Sequence, residues 1–488
     1  MDNHNCSERN RFRNDVHSGM NATRHGRVFL PETAEAVAEV LQEARRAGRH
    51  LSIAGAQHAM GGQQFNSDGW LLDTRRLNGV LDFDRERGLV QVAAGSRWPQ
   101  LQRFLAARFD RDGHGWSIRQ KQTGADEFSL GGSLAANIHG RGLNSAPLVG
   151  DIENFNLVMA DGATLLVDRQ REPELFSLAV GGHGLFGVVS DLTLRLRPRA
   201  LLKRQVELLQ RHELAEAFQQ ARRQGAEFGD FQFAIDPASG DFLTRGVFAC
   251  YWPCAENMPH LAEQRGKQQN AMDASAWRQL LLLAHCDKRE AFRRYSEFYL
   301  STQGQLYASD EHQFGVYLDG YHQAIDEQLG HKGSETITEL YVPLDRLDCL
   351  LGDLAQRCRE RSIDVIYGTV RLIRKEQETR LAWAREDWAC VVLNLHVRHD
   401  EESYRKLQLD MHSLYQAALA QGGSFYLTYG LHANADQLRS AYPDIDHFIQ
   451  SKQLFDPHAV LQSNWYRRLC RTLGHQLESP QLTQVRYG

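Results

Sequence analysis

At 488 residues the chain is long enough for two or more lobes. Its 24% charged and 42% hydrophobic residues are ordinary globular composition, which excludes a disordered, collagenous or disulfide-framework protein. With 56 basic against 61 acidic side chains, the formal charge of -5 leaves no basic excess to hold a polyphosphate backbone, so no nucleic-acid partner is expected. The longest apolar runs, such as Leu280 to Ala284, fall far short of the about 18 residues that a spanning helix needs. The first residues, MDNHNCSERNRFRND, are polar and lack a secretory apolar stretch, so a cytoplasmic location is the expectation. Cys6, Cys250, Cys254, Cys286, Cys349, Cys358, Cys390 and Cys470 have neither metal-knuckle nor redox-motif spacing and are expected as reduced thiols.

In chain order, Val37, Val40, Leu41 and Ala44 recur at helical spacing behind Thr33, a candidate N-cap, with Gly48 as the stop. Leu51 to Ala54 reads as a strand running into the loop AGAQHAMGGQ. Val80 to Phe83 and Leu89 to Ala93 flank the turn DRERG as a hairpin. Between Gly115 and Gly187 stand 12 glycines, clustered as LGGSLAANIHGRG and GGHGLFG, where glycine marks tight turns or close approach to a ligand. Leu192, Leu194 and Leu196 then alternate as a strand to Pro198, the best candidate boundary, with a new lobe starting near Ala200. Beyond it, helical stretches are interrupted by ETITELYVP, DVIYGTVRLI and CVVLNLHV, which fits a half-buried antiparallel sheet with helices on one face. GGSFYLTYGLHA, a helix near Ala435 to Tyr442 and FDPHAVLQSNWYRRL close the chain.

GHGLFG, Gly182 to Gly187, matches GxGxxG, but a strand-like VVSDLTLRLRP follows where a Rossmann site needs a helix, so a nicotinamide-binding Rossmann domain is not expected. There is no P-loop, HExxH or GxSxG, and none of the 21 histidines pairs at metal-ligand spacing, so no metal site is expected. What remains is three glycine loops, each with one histidine: His58, His139 and His183. Their backbone amides can form nests for a pyrophosphate, and small side chains let a flat ring approach. The residues alone leave two readings open, a bound dinucleotide cofactor or plain turns with surface histidines.

LSIAGAQHAMGGQ, the acid-bearing LLDTRRLNGVLDFD, TGADEFSLGGSLAANIHG and GGHGLFGVV before a strand resemble, in order and spacing, the PCMH-type FAD-binding domain of the vanillyl-alcohol oxidase and p-cresol methylhydroxylase superfamily. The pattern is most similar to the decaprenylphosphoryl ribose oxidases and, more loosely, the alditol and aldonolactone oxidases. The resemblance implies an α+β fold of two lobes, the FAD-binding domain and an antiparallel-sheet substrate or cap domain. The divisions it suggests are an N-terminal segment 1–24, an FAD domain 25–199, a cap domain 200–423 and a C-terminal segment 424–488 returning to the flavin site.

Carried across, Ile53, Ala54, Gly55, Ala56, Gln57, His58, Ala59, Met60, Gly61, Gly62 and Gln63 would wrap the flavin pyrophosphate. Gly124, Ser129, Leu130, Gly131, Gly132, Ala136 and Asn137 would form the second phosphate and ring contact, with Val189 touching the flavin through its backbone and Tyr426 beside it. His58 falls where many members carry a histidine bonded to the flavin, which needs a neutral imidazole nucleophile; the alternative is a histidine that only hydrogen-bonds the cofactor. No cysteine in Gly124 to Ser129 offers a second tether. His139 matches a histidine beside the flavin, able to stabilise charge or orient a hydroxyl, or else purely structural. Where the ribose oxidases have a lysine, this chain has Tyr429. Tyr429, His432, Arg371 and His396 are the candidate catalytic groups on the substrate side, with Tyr317 and Tyr321 as further lining candidates.

The resulting expectation is an FAD-dependent oxidoreductase that takes hydride from the CH-OH group of a polyol, sugar or related polar substrate and passes electrons to oxygen or another acceptor. Two alternatives are an oxygen-avoiding FAD dehydrogenase acting on a sugar-lipid or lactone substrate, to which Ile138 before His139 points, and a non-catalytic flavin-binding protein.

Overall fold

The structure is a computed structural model describing residues 11–477 except 111–112, 125, 255–268, 316–317 and 319. After a two-stranded ribbon, β1 (Phe12–Arg13) and β2 (Thr23–Arg24), come β3 (Arg27–Phe29) and α1 (Ala34–Arg46). Thr33 caps α1 by accepting from the Ala36 N–H, and Val37, Leu41 and Ala44 form its buried stripe, as the spacing predicts. β4 (Leu51–Ala54) and β5 (Trp70–Asp73) then complete a parallel sheet in the order β3-β5-β4. The C-terminal segment joins its edge: Leu461 bridges Leu51, which donates to the Val460 carbonyl while Gln462 donates back to Leu51.

A six-stranded antiparallel sheet stands beside it, built from β6 (Val80–Asp84), β7 (Leu89–Ala93), β8 (Trp116–Ile118), β9 (Ile152–Val158), β10 (Thr164–Val167) and β11 (Val188–Pro198) in the order β10-β9-β11-β7-β6, with β8 on β11. β6 and β7 form the expected hairpin, and the GHGLFG loop runs straight into β11, so its surroundings are those of a strand and not of a Rossmann helix. Three helices pack here, α2 (Trp98–Ala106), α3 (Leu130–Ala136) and α4 (Pro173–Ala179). The Trp98 indole donates to Ser133, tying α2 to α3.

β11 ends at Pro198 and the larger sheet begins at Leu201. Its strands are β12 (Leu201–Gln210), β13 (Phe228–Phe233), β14 (Arg245–Pro253), β15 (Leu306–Ala308), β16 (Gly333–Val342), β17 (Val365–Ile373), β18 (Trp388–Arg398) and β19 (Ser424–Phe425), all antiparallel in the order β15-β12-β14-β13-β17-β18-β16-β19. Between them run α5 (Leu214–Arg223), α6 (Ala274–Cys286), α7 (Lys288–Ser301), α8 (Tyr321–Leu329), α9 (Leu347–Glu360) and α10 (Glu401–Ala420). The expectation of helices on one face is corrected. Phe218 of α5 and Leu350 and Leu354 of α9 share the core with Phe231, Val370 and Val391 on one face. On the other, the α6–α7 hairpin lays Trp277, Phe292 and Tyr295 over Val206, Val247 and Ala249. Period-two alternation puts Arg204, Tyr251, Arg371, Cys390, Glu335, Ile337 and Glu339 on that second face, which also meets the first lobe. Arg141 of the first lobe crosses to it, donating to the Tyr251 hydroxyl at 3.2 Å and lying 3.5 Å from Asp230.

Three helices follow, α11 (Ala435–Ala441), α12 (Ile445–Phe455) and α13 (Asn464–Leu473). Among the described residues no helix is long and apolar enough to cross a membrane. Cys250, Cys358, Cys390 and Cys470 are buried free thiols, and Cys286 and Cys349 are exposed; Cys6 lies outside the described residues.

Candidate active site

A cavity of about 260 Å³ runs between the glycine loops of the first lobe and the polar face of the larger sheet. Residues from the loop after β4, the segment around α3 and the loop before β11 line it, which brings the three glycine regions to one place. The local reasons are steric. At Gly131 an added Cβ would stand 2.8 Å from the Ala94 Cβ and 3.1 Å from its carbonyl oxygen, so only glycine lets the start of α3 sit this close to the turn that follows β7. At Gly124, with φ +80, nothing lies within 4 Å of an added Cβ, so the backbone is exposed to the cavity.

The lining fits a flavin dinucleotide on a structural ground. The Gln57 Nε2, Gln64 Oε1 and Thr123 Oγ1 atoms all belong to cavity-lining residues and are buried without a hydrogen-bond partner among the described residues. Unpaired buried polar atoms are costly, and several of them around one cavity suit a polar ligand that would pair them. Of the wrapping loop, Ile53, Gly55, Ala56, Gln57, His58, Ala59, Met60 and Gln63 line the cavity, whereas Ala54, Gly61 and Gly62 stand behind it. Gly124, Ser129, Gly131, Gly132, Ala136 and Val189 line it as well. Leu130 is core, Asn137 accepts from the Val149 N–H in a left-handed helix cap, and Tyr426 donates to the Ala136 carbonyl from outside the lining.

The His58 ring faces the cavity with its centroid 4.7 Å from that of Phe128. Burial, then the neighbouring His17 and Arg97, pushes its imidazole down to about 4, so it is neutral at physiological pH. His183, in the third loop, is likewise held at about 4 by burial and packs 4.6 Å from Trp465 of α13.

Across the cavity, Tyr429 is the one catalytic candidate in the lining. Its hydroxyl donates to Glu339 Oε1 at 2.7 Å and accepts from Gln122 at 3.3 Å. Glu339 Oε2 accepts from Tyr341 at 2.8 Å and lies 2.7 Å from His139 Nε2. His139 therefore sits one residue behind the cavity wall, bonded to the cap sheet, while its neighbour Ile138 lines the wall. Burial raises the Glu339 carboxyl, but His139 and the two tyrosine hydroxyls outweigh it and hold the group at about 2. Burial and the adjacent Glu339 charge push the Tyr429 phenol well above its usual value.

The other candidates stand apart. Arg371 is buried on the same sheet face, paired across β17 and β18 with Cys390, but outside the lining. Alternation along β18 carries His396 to the far end of that face, beside Glu335. His432 is buried, with burial and then Arg468 pushing it down to about 3, and does not reach the cavity. Tyr321 bonds Glu335, and Tyr317 lies outside the described residues.

Residues absent from the sequence reading complete the site. His17 lines the cavity because the segment after β1 is pinned there: Val16 donates to the Gln57 carbonyl at 2.9 Å, Asn21 to the Met60 carbonyl at 2.8 Å, and Ser334 of β16 to the Ser18 carbonyl at 2.5 Å. Glu339 carried a legible signal, since glutamates at 335 and 339 on one strand must share a face. Lys121 is fully buried, 2.5 Å from Asp126, beside the cavity-lining Gln122.

Residues 26–168 match the FAD binding domain family. The chain is 30% identical over 185 residues to a D-arabinono-1,4-lactone oxidase of Eremothecium gossypii, covering 37% of this chain and 33% of that one. It is 32% identical over 177 residues to an alditol oxidase of a Streptomyces species, covering 35% and 39%. It is 28% identical over 222 residues to an L-gulono-1,4-lactone dehydrogenase of Mycobacterium tuberculosis, covering 45% and 48%. The chain thus spans about a third to a half of the length of these curated relatives.

Proposed function

From an FAD-binding domain shared with aldonolactone and alditol oxidases, we propose that this chain is an FAD-dependent oxidoreductase acting on the CH-OH group of a sugar, polyol or sugar lactone. In this reading residues 25–199 hold FAD, 200–423 cover it, and 424–488, of which 478–488 lie outside the described residues, return to the same site. The described part of 1–24 contributes through His17.

The observation that carries the reading is Tyr429, which lines the glycine-rich cavity and whose hydroxyl is hydrogen-bonded at 2.7 Å to a buried, ionised Glu339. Bound FAD supplies the acceptor for the carbon-bound hydrogen and its electron pair. The chain's own residues handle the proton. A substrate hydroxyl beside Tyr429 loses its proton to the phenol oxygen while the phenol proton passes to Glu339, and no free tyrosinate need form. Gln122, bonded to the same oxygen, and His139, bonded to Glu339, hold the pair in line. His58, neutral and lining the same cavity, is the candidate nucleophile for a covalent flavin link, a reading its unprotonated ring supports.

The test is anaerobic mixing of the purified protein with D-arabinono-1,4-lactone, L-gulono-1,4-lactone and a panel of alditols. The expected outcome is bleaching of the visible flavin band by at least one of them. A flavin that none of these or related sugars reduces would refute the oxidoreductase reading and favour a non-catalytic flavin protein.

A further inference from the structure

At the end of the cap sheet beyond Ile337, three side chains from three separate elements converge. Glu335 on β16 and His396 on β18 are directly opposed across the strands, and His285 comes down from α6 on the face that also carries Glu339. Their side chains are 3%, 7% and 1% exposed. His285 Nε2 lies 3.1 Å and His396 Nδ1 3.8 Å from Glu335 Oε1, and one ligand-type atom of each residue lies within 4.8 Å of both others. Ligand atoms held tetrahedrally about 2.1 Å from a zinc ion would be about 3.4 Å apart, so the observed spacing needs only small side-chain shifts. Gly333 makes room, because a Cβ there would meet the His396 ring carbon at 2.4 Å.

Polar atoms of this cluster are left without well-aligned hydrogen bonds among the described residues. Glu335 Oε2 accepts from the Tyr321 hydroxyl at 2.8 Å and has His322 at 3.2 Å, but Oε1 has no hydrogen-bond partner among the described residues. Among the described residues neither ring nitrogen of His285 makes a well-aligned hydrogen bond, although Nε2 approaches that oxygen to 3.1 Å and both histidines draw the Glu335 carboxyl down. For His396 the tautomer follows from its neighbour. His331 Nδ1 is 3.2 Å from the Leu329 carbonyl, which can only accept, so in the neutral ring the proton sits on Nδ1 and His331 Nε2 is an acceptor. With both rings neutral, His396 Nε2, 3.0 Å away, donates to it, and the Nδ1 of His396, 3.8 Å from Glu335 Oε1, carries the lone pair. An orienting bond from the far nitrogen of a histidine is the arrangement that metal-bound imidazoles use.

We propose that His285, Glu335 and His396 form a binding site for a divalent transition-metal ion of the zinc class. Two imidazoles and one carboxylate suit such ions better than calcium or magnesium, which take oxygen donors. Three protein ligands leave a coordination position for water or for an oxygen of a bound molecule. His322, 28% exposed, marks a route from solvent. The other histidine-carboxylate cluster, His139, Glu339 and Cys390, is different in kind: hydroxyl donors saturate Glu339, and burial pushes the Cys390 thiol far up. The sequence hides the site because its ligands are 50 and 61 residues apart, so no short motif contains two of them.

The test is metal content, independent of turnover. Chelator-treated full-length protein is equilibrated with Zn2+, desalted and assayed for zinc and flavin together. One zinc per chain is expected in the wild type, at least a tenfold loss of bound zinc in His285→Ala and His396→Ala, and a 10- to 100-fold weaker affinity in His331→Ala. Co2+ in place of Zn2+ gives a ligand-field band to the red of the flavin absorption, so the wild type alone can be judged if a variant fails to fold. Wild-type protein that takes up neither ion overturns the proposal and shows that the cluster is a proton-linked ion pair only. Variants that keep full stoichiometry while folded overturn it as well. The flavin value in the same samples separates this outcome from failure of the oxidoreductase reading.

Discussion

Glu339→Gln removes the charge on which the cap-side network is built, and its cost can be worked out from the contacts. Glu339 Oε1 accepts from Tyr429 at 2.7 Å, and Oε2 accepts from Tyr341 at 2.8 Å and meets His139 at 2.7 Å. Glutamine keeps one acceptor and turns an NH2 toward the remaining donors, leaving at least one buried group unpaired at about 1–3 kcal/mol. Linkage gives a second estimate. A carboxyl moved from 4.5 in the unfolded chain to about 2 in the folded one contributes about 3 kcal/mol at pH 7, at about 1.4 kcal/mol per unit. Because the folded value is the lower one, this stability is present in full above 4.5 and is lost as pH falls toward 2. Urea unfolding of wild type and Glu339→Gln at pH 7 is expected to differ by about 3 kcal/mol, and by less than about half of that near pH 3. A gap under about 1 kcal/mol at pH 7, or one independent of pH, would refute the argument that Glu339 is a buried carboxylate held ionised by its donors.

His58→Ala is expected to yield protein whose flavin is released into the supernatant by acid, while wild type keeps its yellow colour in the pellet; equal release from both would sink the covalent link. Gly131→Ala forces its new methyl to 2.8 Å from the Ala94 Cβ, an overpacking that costs about 1–3 kcal/mol. A lower melting temperature and a lower flavin content per chain as purified are the readouts, and wild-type values of both would contradict the close approach.

Much of the first lobe was legible locally. The period of Val37, Leu41 and Ala44, the Thr33 cap and the hairpin at Leu89 to Ala93 are short-range signals, and the structure has α1, β6 and β7 where they point. The glycine clusters flagged the cavity because close backbone approach leaves a mark in composition. What escaped depends on contacts distant in sequence. The polar segment holding His17 reads as a tail until Val16 and Asn21 are seen bonded to the loop after β4. His396 and Arg371 were singled out as strand residues near the substrate, but which part of a sheet face opens on a cavity is set by strand order and not by alternation. Helices on both faces of the larger sheet likewise could not be read from helix content, since an apolar stripe on a helix does not say which face of a sheet it covers.

The measurement that bears most directly on the central claim is the rate of anaerobic flavin reduction in Tyr429→Phe against wild type, at equal flavin content and with the best substrate of the panel. The phenylalanine keeps the aromatic ring of this cavity-lining residue and removes the hydroxyl bonded to Glu339. The account expects an unchanged flavin spectrum with reduction slowed by about 100-fold or more, the usual range for loss of a general acid–base group. Reduction at the wild-type rate would contradict it and would move the proton acceptor to another wall of the cavity.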